Sequence, residues 1–99
     1  MDKLSALSMF VATAEHGSFS RAALQLGKTP SALTKAVGHL ETELGSRLFE
    51  RSTRRLALTE AGSLYLETAR QVLESLREAG EEIGQLQHNL TGSLRVTAP

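Results

Sequence analysis

Small polar residues between positions 29 and 45 have a spacing suited to recognising the hydrogen-bonding groups of a flat partner surface. If this segment is helical, one side of it carries, at offsets of 3, 1, 3 and 4, the residues Ser31, Thr34, Lys35, Gly38 and Thr42. A stripe with so little bulk can approach the floor of a DNA major groove, where side-chain donors distinguish base pairs. Lys35 is the best placed for a guanine or a phosphate. A solvated helix face is the alternative explanation.

A second polar group follows at positions 51 to 55. Arg54 and Arg55 lie between two short apolar pieces, with Arg51 just before them. Exposed cations on a short ribbon suit phosphates or the narrow minor groove, and an ordinary solvated turn is the alternative. Nearer the start of the chain, Ser18 and Ser20 can donate to a phosphate beside a helix N-terminus or act only as caps, and these roles are compatible.

Catalytic chemistry finds no support in the sequence. His16, His39 and His88 are scattered, and we find no carboxylate pair, nucleophile elbow or glycine-rich phosphate loop. The chain has no cysteine, which excludes disulfides and thiolate metal sites. No apolar run approaches the roughly 20 residues of a membrane span, and the residues after Met1 lack the basic region followed by an apolar region that is typical of a signal peptide. We therefore expect a soluble, cytoplasmic protein that is not an enzyme and has no metal.

The charge distribution is more informative than the total. The 99 residues have a formal net charge of zero, which at first sight argues against a nucleic-acid partner. Between His16 and Leu58, however, seven basic residues face three acidic ones, whereas from Gly62 onward three basic residues face five acidic ones. The front of the chain is thus basic and the rear acidic, an asymmetry compatible with DNA binding by the front alone.

Two helices are predicted before residue 28. The first has an apolar stripe at helical spacing, consisting of Leu4, Leu7, Phe10, Val11 and Ala14. Gly17 ends it. Ser18 or Ser20 caps the second, whose inward residues are Ala22, Ala23 and Leu26, and Gly27 closes it.

A third helix has the clearest start signal in the chain. Thr29 is the expected N-cap, Pro30 occupies the first helical position, and Gly45 is the expected stop. The predicted inward seam of this helix is Leu33, Val37, Leu40 and Leu44. Because so few residues separate it from the second helix, the two must cross steeply, as in a helix-turn-helix.

After Gly45 the periodicity changes. Residues 47–51 and 56–58 are short enough for two strands of a small hairpin, with the basic residues at its tip. Thr59 then caps a long helix with Glu60 in its first turn, which we expect to reach about His88.

One face of this long helix is apolar and needs a partner. Residues on it recur at spacings of 3 and 4, and those assigned to dimerisation are Leu66, Ala69, Leu73, Leu76, Gly80 and Ile83. A helix of about 30 residues extends roughly 45 Å, more than the preceding residues can cover. Burial against a further domain is the alternative.

A pure protein-interaction module is the main alternative to a DNA-binding protein. Such a module would not explain why basic residues lie on a ribbon beside a small-residue helix face.

The combined pattern resembles the LysR-type transcriptional regulators. The resemblance covers almost the whole chain and is carried by Phe10-Val11, Glu15, Gly17-Ser18-Phe19, Ala22-Ala23, Leu26, Ser31-Ala32-Leu33-Thr34-Lys35, Leu40-Glu41, Glu43-Leu44-Gly45, Arg47-Leu48-Phe49-Glu50-Arg51 and Leu58-Thr59-Glu60-Ala61-Gly62. It implies a mainly α fold with a small β-hairpin, that is, a winged helix-turn-helix followed by a long dimerisation helix.

The resemblance also implies a function and a division of the chain. Double-stranded DNA is expected to be bound by a homodimer, with the recognition helix in the major groove and the wing in the minor groove. The implied contacts are Thr29, Pro30, Ser31, Thr34 and Lys35 on the helix and Arg54 on the wing. Many members have Ser-Gln-Pro where this chain has Thr29-Pro30-Ser31, so the family's glutamine is absent here.

The implied domains are a DNA-binding domain at residues 1–58, a linker helix at 59–90 and the start of an effector-binding domain at 91–99. Residues 93–97 alternate as a strand does. No cofactor is expected in the present chain, and a small-molecule effector is expected in the domain that follows. A tetramer of the full-length protein is an alternative to the dimer.

Overall fold

Local capping signals set the ends of the first three helices. The computed structural model describes residues 2–51 and 56–97. In chain order its elements are α1 (Lys3–His16), α2 (Phe19–Leu26), α3 (Pro30–Leu44), β1 (Phe49–Glu50), β2 (Ala57–Leu58) and α4 (Glu60–Thr97). The prediction of a mainly helical chain with one small hairpin and a long last helix is confirmed.

Each of these three helices begins at a side-chain cap. Asp2, Ser18 and Thr29 accept the N–H of the residue three positions further on, at 3.1 to 3.2 Å. Pro30 stands at the start of α3, where a missing N–H costs nothing. Gly27 ends α2 with a φ of 66°, a conformation that residues with a side chain rarely adopt, and the chain turns there toward α3. The predicted helix-turn-helix follows directly from these signals.

The core lies where α1 meets the other three helices and the hairpin. Its largest fully buried side chains are Phe10, Phe49, Leu33, Leu40, Leu48 and Val37. The Phe49 ring packs edge-on against both Phe10 and Phe19, with ring centroids 5.5 and 5.9 Å away. Each such side chain contributes roughly 1.5–3 kcal/mol on burial. The Phe49 side chain therefore anchors strand β1 in the helical core.

The hairpin and the start of α4 are joined by close backbone contacts. Strands β1 and β2 pair antiparallel, with Phe49 opposite Leu58. The Thr59 N–H donates to the Leu48 carbonyl at 3.0 Å. Gly62, in the first turn of α4, lies so near the same carbonyl that a Cβ there would be 2.0 Å from the oxygen. Only glycine permits this approach, which fixes where α4 leaves the domain.

Three sequence expectations about the elements are corrected. Leu26 and Leu44 were expected to face inward but are 37% and 42% exposed, because each is the last residue of its helix, where the helix leaves the core. The strands are shorter than predicted. Residues 93–97, expected as a strand, belong to α4. A strand needs a partner for its backbone groups, whereas a continuing helix pairs them internally.

Candidate nucleic-acid interface

The outer face of α3 is open to solvent along its length. Ser31, Thr34, Lys35 and Thr42 are exposed, while the opposite side of the helix is buried in the core. Gly38 lies between them, and a Cβ added there would meet no atom within 4 Å. The stripe predicted from sequence is thus brought together on one accessible face, and its middle is narrow enough for close approach to another surface.

Two threonine hydroxyls of this face are already engaged. Thr34 donates to the carbonyl of Pro30 at 3.0 Å, and Thr42 donates to that of Gly38 at 2.9 Å. These hydroxyls therefore offer a partner an acceptor oxygen and a methyl group rather than a proton. Lys35, with its ammonium donors, is the main hydrogen-bond donor and the main cation of the stripe.

The other helix-start residues serve first as caps. The Thr29 hydroxyl accepts the Ala32 N–H, and the Ser18 hydroxyl accepts the Arg21 N–H. A hydroxyl oxygen that accepts in this way keeps its own proton, so both remain able to donate to an anion. Ser20 is exposed.

A groove runs between the outer face of α3 and strand β1. We call it the arginine groove, and its lining is Thr34, Gly38, Glu41, Thr42, Gly45, Ser46, Arg47 and Arg51. The α3 stripe forms one side of this groove, and the two guanidinium groups stand on the other. The sequence had assigned Arg51 to DNA contacts but had given Arg47 no role.

Glu41 organises this groove. Its side chain is only 8% exposed, and one carboxylate oxygen accepts the N–H groups of Leu48 and Phe49 at 2.8 and 3.4 Å. The other oxygen accepts Nη2 of Arg51 at 2.8 Å and lies 3.7 Å from Nη1 of Arg47. One buried carboxylate thus ties the last turns of α3 to the start of the hairpin.

Arg51 and Arg47 differ in how firmly they are held. The Arg51 side chain is 31% exposed, bonds Glu41 directly and lies over the Phe19 ring, 5.9 Å from its centroid. The Arg47 side chain is 65% exposed and makes only the longer contact with Glu41. The sequence signal for this cluster was an acidic residue beside the inward seam of α3, followed within ten positions by two arginines. Sequence spacing alone did not show that the chain reverses between them.

The predicted wing residues Arg54 and Arg55 lie outside the described residues, so their assignment stays a prediction. The base from which this segment departs is well fixed. The Thr59 hydroxyl donates to the carbonyl of Arg47 at 2.5 Å and accepts the Gly62 N–H at 2.9 Å.

The proposed dimerisation seam divides into a covered and an uncovered part. Leu66 and Ala69 are 8% and 1% exposed and belong to the core, and Leu73 packs partly against it. The assignment of Leu66 and Ala69 to an interface with another chain is therefore corrected, because both are already buried in the core of this chain. Gly80 has open space around it.

Further along, α4 presents an exposed apolar surface. We call it the free face, and its residues are Val72, Leu76, Ala79, Ile83 and Leu86. Their steps of 4, 3, 4 and 3 place them on one side of the helix. The four large side chains among them are 38% to 59% exposed. The free face is rotated away from the core-facing side of α4. The single apolar seam predicted from the sequence therefore combined residues of the free face with residues of the core-facing side.

Three charged residues in the middle of α4 pair with one another. Arg77 contacts both Glu74 and Glu81. The hydrogen bond with Arg77 lowers the pKa of Glu74, and the same contact raises the pKa of Arg77. Between residues 74 and 81, acidic side chains therefore offset the positive charge of Arg77.

Metal binding and membrane insertion have no structural basis in the described ranges. Across residues 2–51 and 56–97, no group of three or more histidine or acidic side chains is arranged to hold a metal ion. Within the same ranges no helix combines the length and apolar character needed to cross a membrane.

The sequence of this chain is similar to those of known proteins. Residues 4–63 match the model of a family described as bacterial regulatory helix-turn-helix protein, lysR family. An HTH-type transcriptional regulator of Xanthomonas campestris pv. campestris is 45% identical over 91 residues, which are 92% of this chain and 26% of the relative. The HTH-type transcriptional regulator PtxR of Pseudomonas aeruginosa is 43% identical over 96 residues, covering 97% of this chain and 31% of PtxR. The chain therefore spans about a quarter to a third of the length of these relatives.

Solved structures similar to this chain include complexes with DNA. The BenM DNA-binding domain bound to catB site 1 DNA superposes with a TM-score of 0.82 at 30% identity, covering 88% of this chain and 96% of that one. The CbnR DNA-binding domain in its DNA complex gives a TM-score of 0.78 at 36% identity, covering 88% and 99%. Both the fold and the position of α4 thus agree with known helix-turn-helix domains.

Proposed function

The chain belongs to the lysR family of bacterial regulatory helix-turn-helix proteins, and from this premise we propose that it binds double-stranded DNA in a sequence-dependent way. The family and the non-enzymatic character expected from the sequence are confirmed. The observation that carries the proposal is the outer face of α3, which is exposed, narrow and polar while the opposite side of the same helix is anchored in the core.

In this proposal α3 enters the major groove. Lys35 donates to a guanine edge or a neighbouring phosphate, and Thr34 offers its methyl group and acceptor oxygen to the adjacent base pair. Ser31, with the helix start at Thr29 and Pro30, lies nearest the bases, because the N-terminal residues of a recognition helix usually make the base contacts. The hairpin follows the backbone, and Arg54 reaches the minor groove.

The protein acts as a homodimer through α4. The free face offers four large exposed apolar side chains, and the matching face of a second copy is the occupant that covers them all at once. Two recognition helices in fixed relation then read two half-sites, so the operator has two-fold symmetry. A regulator of this kind acts in the cytoplasm, where the bacterial chromosome lies. A small-molecule effector, bound by a domain beyond residue 90, modulates it.

Selection from a random pool of duplexes tests the proposal. We expect the unsubstituted chain to enrich a two-fold symmetric sequence. Lys35→Ala should change which base is preferred at one position in each half-site, at a cost of roughly 1–3 kcal/mol against the original sequence. Arg54→Ala should instead weaken binding to all sequences about equally. It should also reduce the slope of log affinity against log salt by about 0.9 for each phosphate that is no longer neutralised.

Arg70→Ala is the matched control. It also removes one positive charge, but Arg70 lies on the α1–α4 side, where its side chain pairs with Glu15 at 3.3 Å. It should enrich the same sequence as the unsubstituted chain. An unchanged preference in Lys35→Ala, or a pool without enrichment, contradicts the proposal.

A further inference from the structure

The arginine groove contains a cation that neither the family contacts inferred from sequence nor the proposed function uses. We propose that Arg47, with Arg51 beside it, forms a clamp for a backbone phosphate of the DNA strand that borders the major groove occupied by α3. This inference rests on the proposed function and adds a second kind of contact to it: Lys35 and its neighbours read bases, whereas Arg47 fixes how far α3 lies along and into the groove.

The charges of the groove favour an anion. Within the lining of the arginine groove, Arg47 and Arg51 stand against a single carboxylate, that of Glu41, so the lining keeps one net positive charge, and the Glu50 carboxylate belongs to a neighbouring hollow that both arginines also line. The carboxylate is largely buried, and its oxygens already accept the N–H groups of Leu48 and Phe49 and the Arg51 guanidinium. An approaching phosphate therefore meets guanidinium groups rather than the acid.

Arg47 has the freedom that such a contact needs. Its side chain is 65% exposed, and its 3.7 Å contact with Glu41 is longer than a hydrogen bond. Most of its N–H donors are thus available in a planar fork that matches phosphate geometry. Arg51 is less free, since it is bound to Glu41 and packed over Phe19. Arg47 is the arm that binds, and Arg51 adds charge from a fixed position.

The position of the groove favours a phosphate over a base. One side of the groove is the middle and end of the α3 stripe, Thr34, Gly38 and Thr42, and Arg47 stands on the other side. When the start of a recognition helix points at base edges, its later turns leave the groove past the sugar-phosphate backbone. A cation beside those turns meets the backbone and sets the register of the helix without reading sequence.

Glu41 is the positioning residue of the clamp. It holds Arg51 directly and holds the N–H groups just after Arg47, so it fixes the backbone from which the Arg47 side chain extends. The clamp therefore moves with α3 as one rigid unit.

A phosphate-neutralisation scan tests the clamp. The probe is the duplex enriched by the unsubstituted chain, prepared as a series in which one phosphate at a time is replaced by an uncharged methylphosphonate. The full chain and Arg47→Gln are titrated with each duplex. When the phosphate held by Arg47 is replaced by methylphosphonate, DNA binding by the unsubstituted chain should weaken about tenfold, the value of one charged hydrogen-bond pair. DNA binding by the Arg47→Gln variant should weaken less than about twofold at the same position. Arg47→Gln should also lower the salt slope by about 0.9 for each subunit bound.

Two further variants sharpen the result. Arg47→Lys keeps the charge without the fork and should restore the salt slope but only part of the affinity. Arg77→Gln removes an exposed arginine on α4 and should leave both the slope and the scan unchanged. The clamp is overturned if Arg47→Gln keeps the slope and every methylphosphonate penalty of the unsubstituted chain. If the unsubstituted chain enriches no duplex, the proposed function itself falls, which is a distinct outcome.

Discussion

Replacing Glu41 by glutamine removes one charge from a carboxylate that holds α3, β1 and Arg51 together. The change keeps the size of the side chain and one acceptor oxygen, so the Leu48 N–H, at 2.8 Å, can remain paired. The second oxygen becomes an NH₂ group, which cannot accept from the Arg51 guanidinium. The substitution thus isolates the charge-assisted part of the cluster from its packing.

The expected loss of stability is about 2 kcal/mol. A hydrogen bond to a charged group contributes about 1.5–3 kcal/mol, and Glu41, at 8% exposure, makes its bonds largely out of water. Breaking a fully buried ion pair costs about 3–5 kcal/mol because the remaining charge has no partner. Here the remaining charge is on Arg51, whose side chain is 31% exposed and can be hydrated, so the lower range applies.

Thermal and urea unfolding measure this loss. For a domain of this size, about 2 kcal/mol corresponds to a fall in Tm of roughly 10 °C. Protein concentration must be the same for all variants, because the proposed dimerisation would make the apparent stability depend on it. Glu43→Gln is the matched control on the same helix. Its pair with Lys3 at 3.3 Å is exposed on both sides, so its loss should cost less than about 1 kcal/mol. Equal effects of the two substitutions would refute the role given to Glu41.

Two other predictions concern the start and the free face of α4. Gly62→Ala should destabilise the protein by about 3 kcal/mol, because the new Cβ meets the backbone oxygen of Leu48 at 2.0 Å. Gly84→Ala, in open space, should instead stabilise the protein by up to about 1 kcal/mol. Urea unfolding of both variants checks the two values. Ile83→Asp places a charge on the free face and should convert the proposed dimer to a monomer in sedimentation velocity. Gln85→Asp, on another side of the helix, should leave the protein dimeric. An intact Ile83→Asp dimer refutes the assignment of the free face to dimerisation.

The parts of the fold that the sequence predicted are those with local causes. The start of α3 follows from a hydroxyl cap and a proline within two residues, Thr29 and Pro30, and each needs only its nearest neighbours to act. The outer stripe of α3 was also predictable, since helical periodicity alone places Ser31, Thr34 and Lys35 on one side once the seam opposite is apolar.

The parts that the sequence did not predict depend on contacts between distant segments. The apolar residues of α4 form two adjacent faces, and periodicity shows neither where one ends nor what covers it. Leu66 and Ala69 are buried in a core that they share with residues of the distant helix α1, whereas Ile83 is exposed. The role of Glu41 likewise depends on a chain reversal that brings β1 back across the end of α3. The charges of Glu41 and Arg47 do not by themselves predict that reversal.

The same short stretch of chain connects the helix that is proposed to face DNA to the helix that is proposed to dimerise. Glu41 of α3 holds the N–H of Leu48, and on the other side of this stretch Thr59 and Gly62 of the α4 start contact the carbonyls of Arg47 and Leu48. The backbone groups of residues 47 and 48 are therefore held from both helices, by the Glu41 carboxylate on one side and by the Thr59 hydroxyl and N–H on the other. Because this connection is short and close-packed, the angle between α3 and α4 is fixed within each subunit. In a dimer, the distance between the two recognition helices is then set by where the free faces meet, and a change in that register would move both helices without altering either DNA-binding surface.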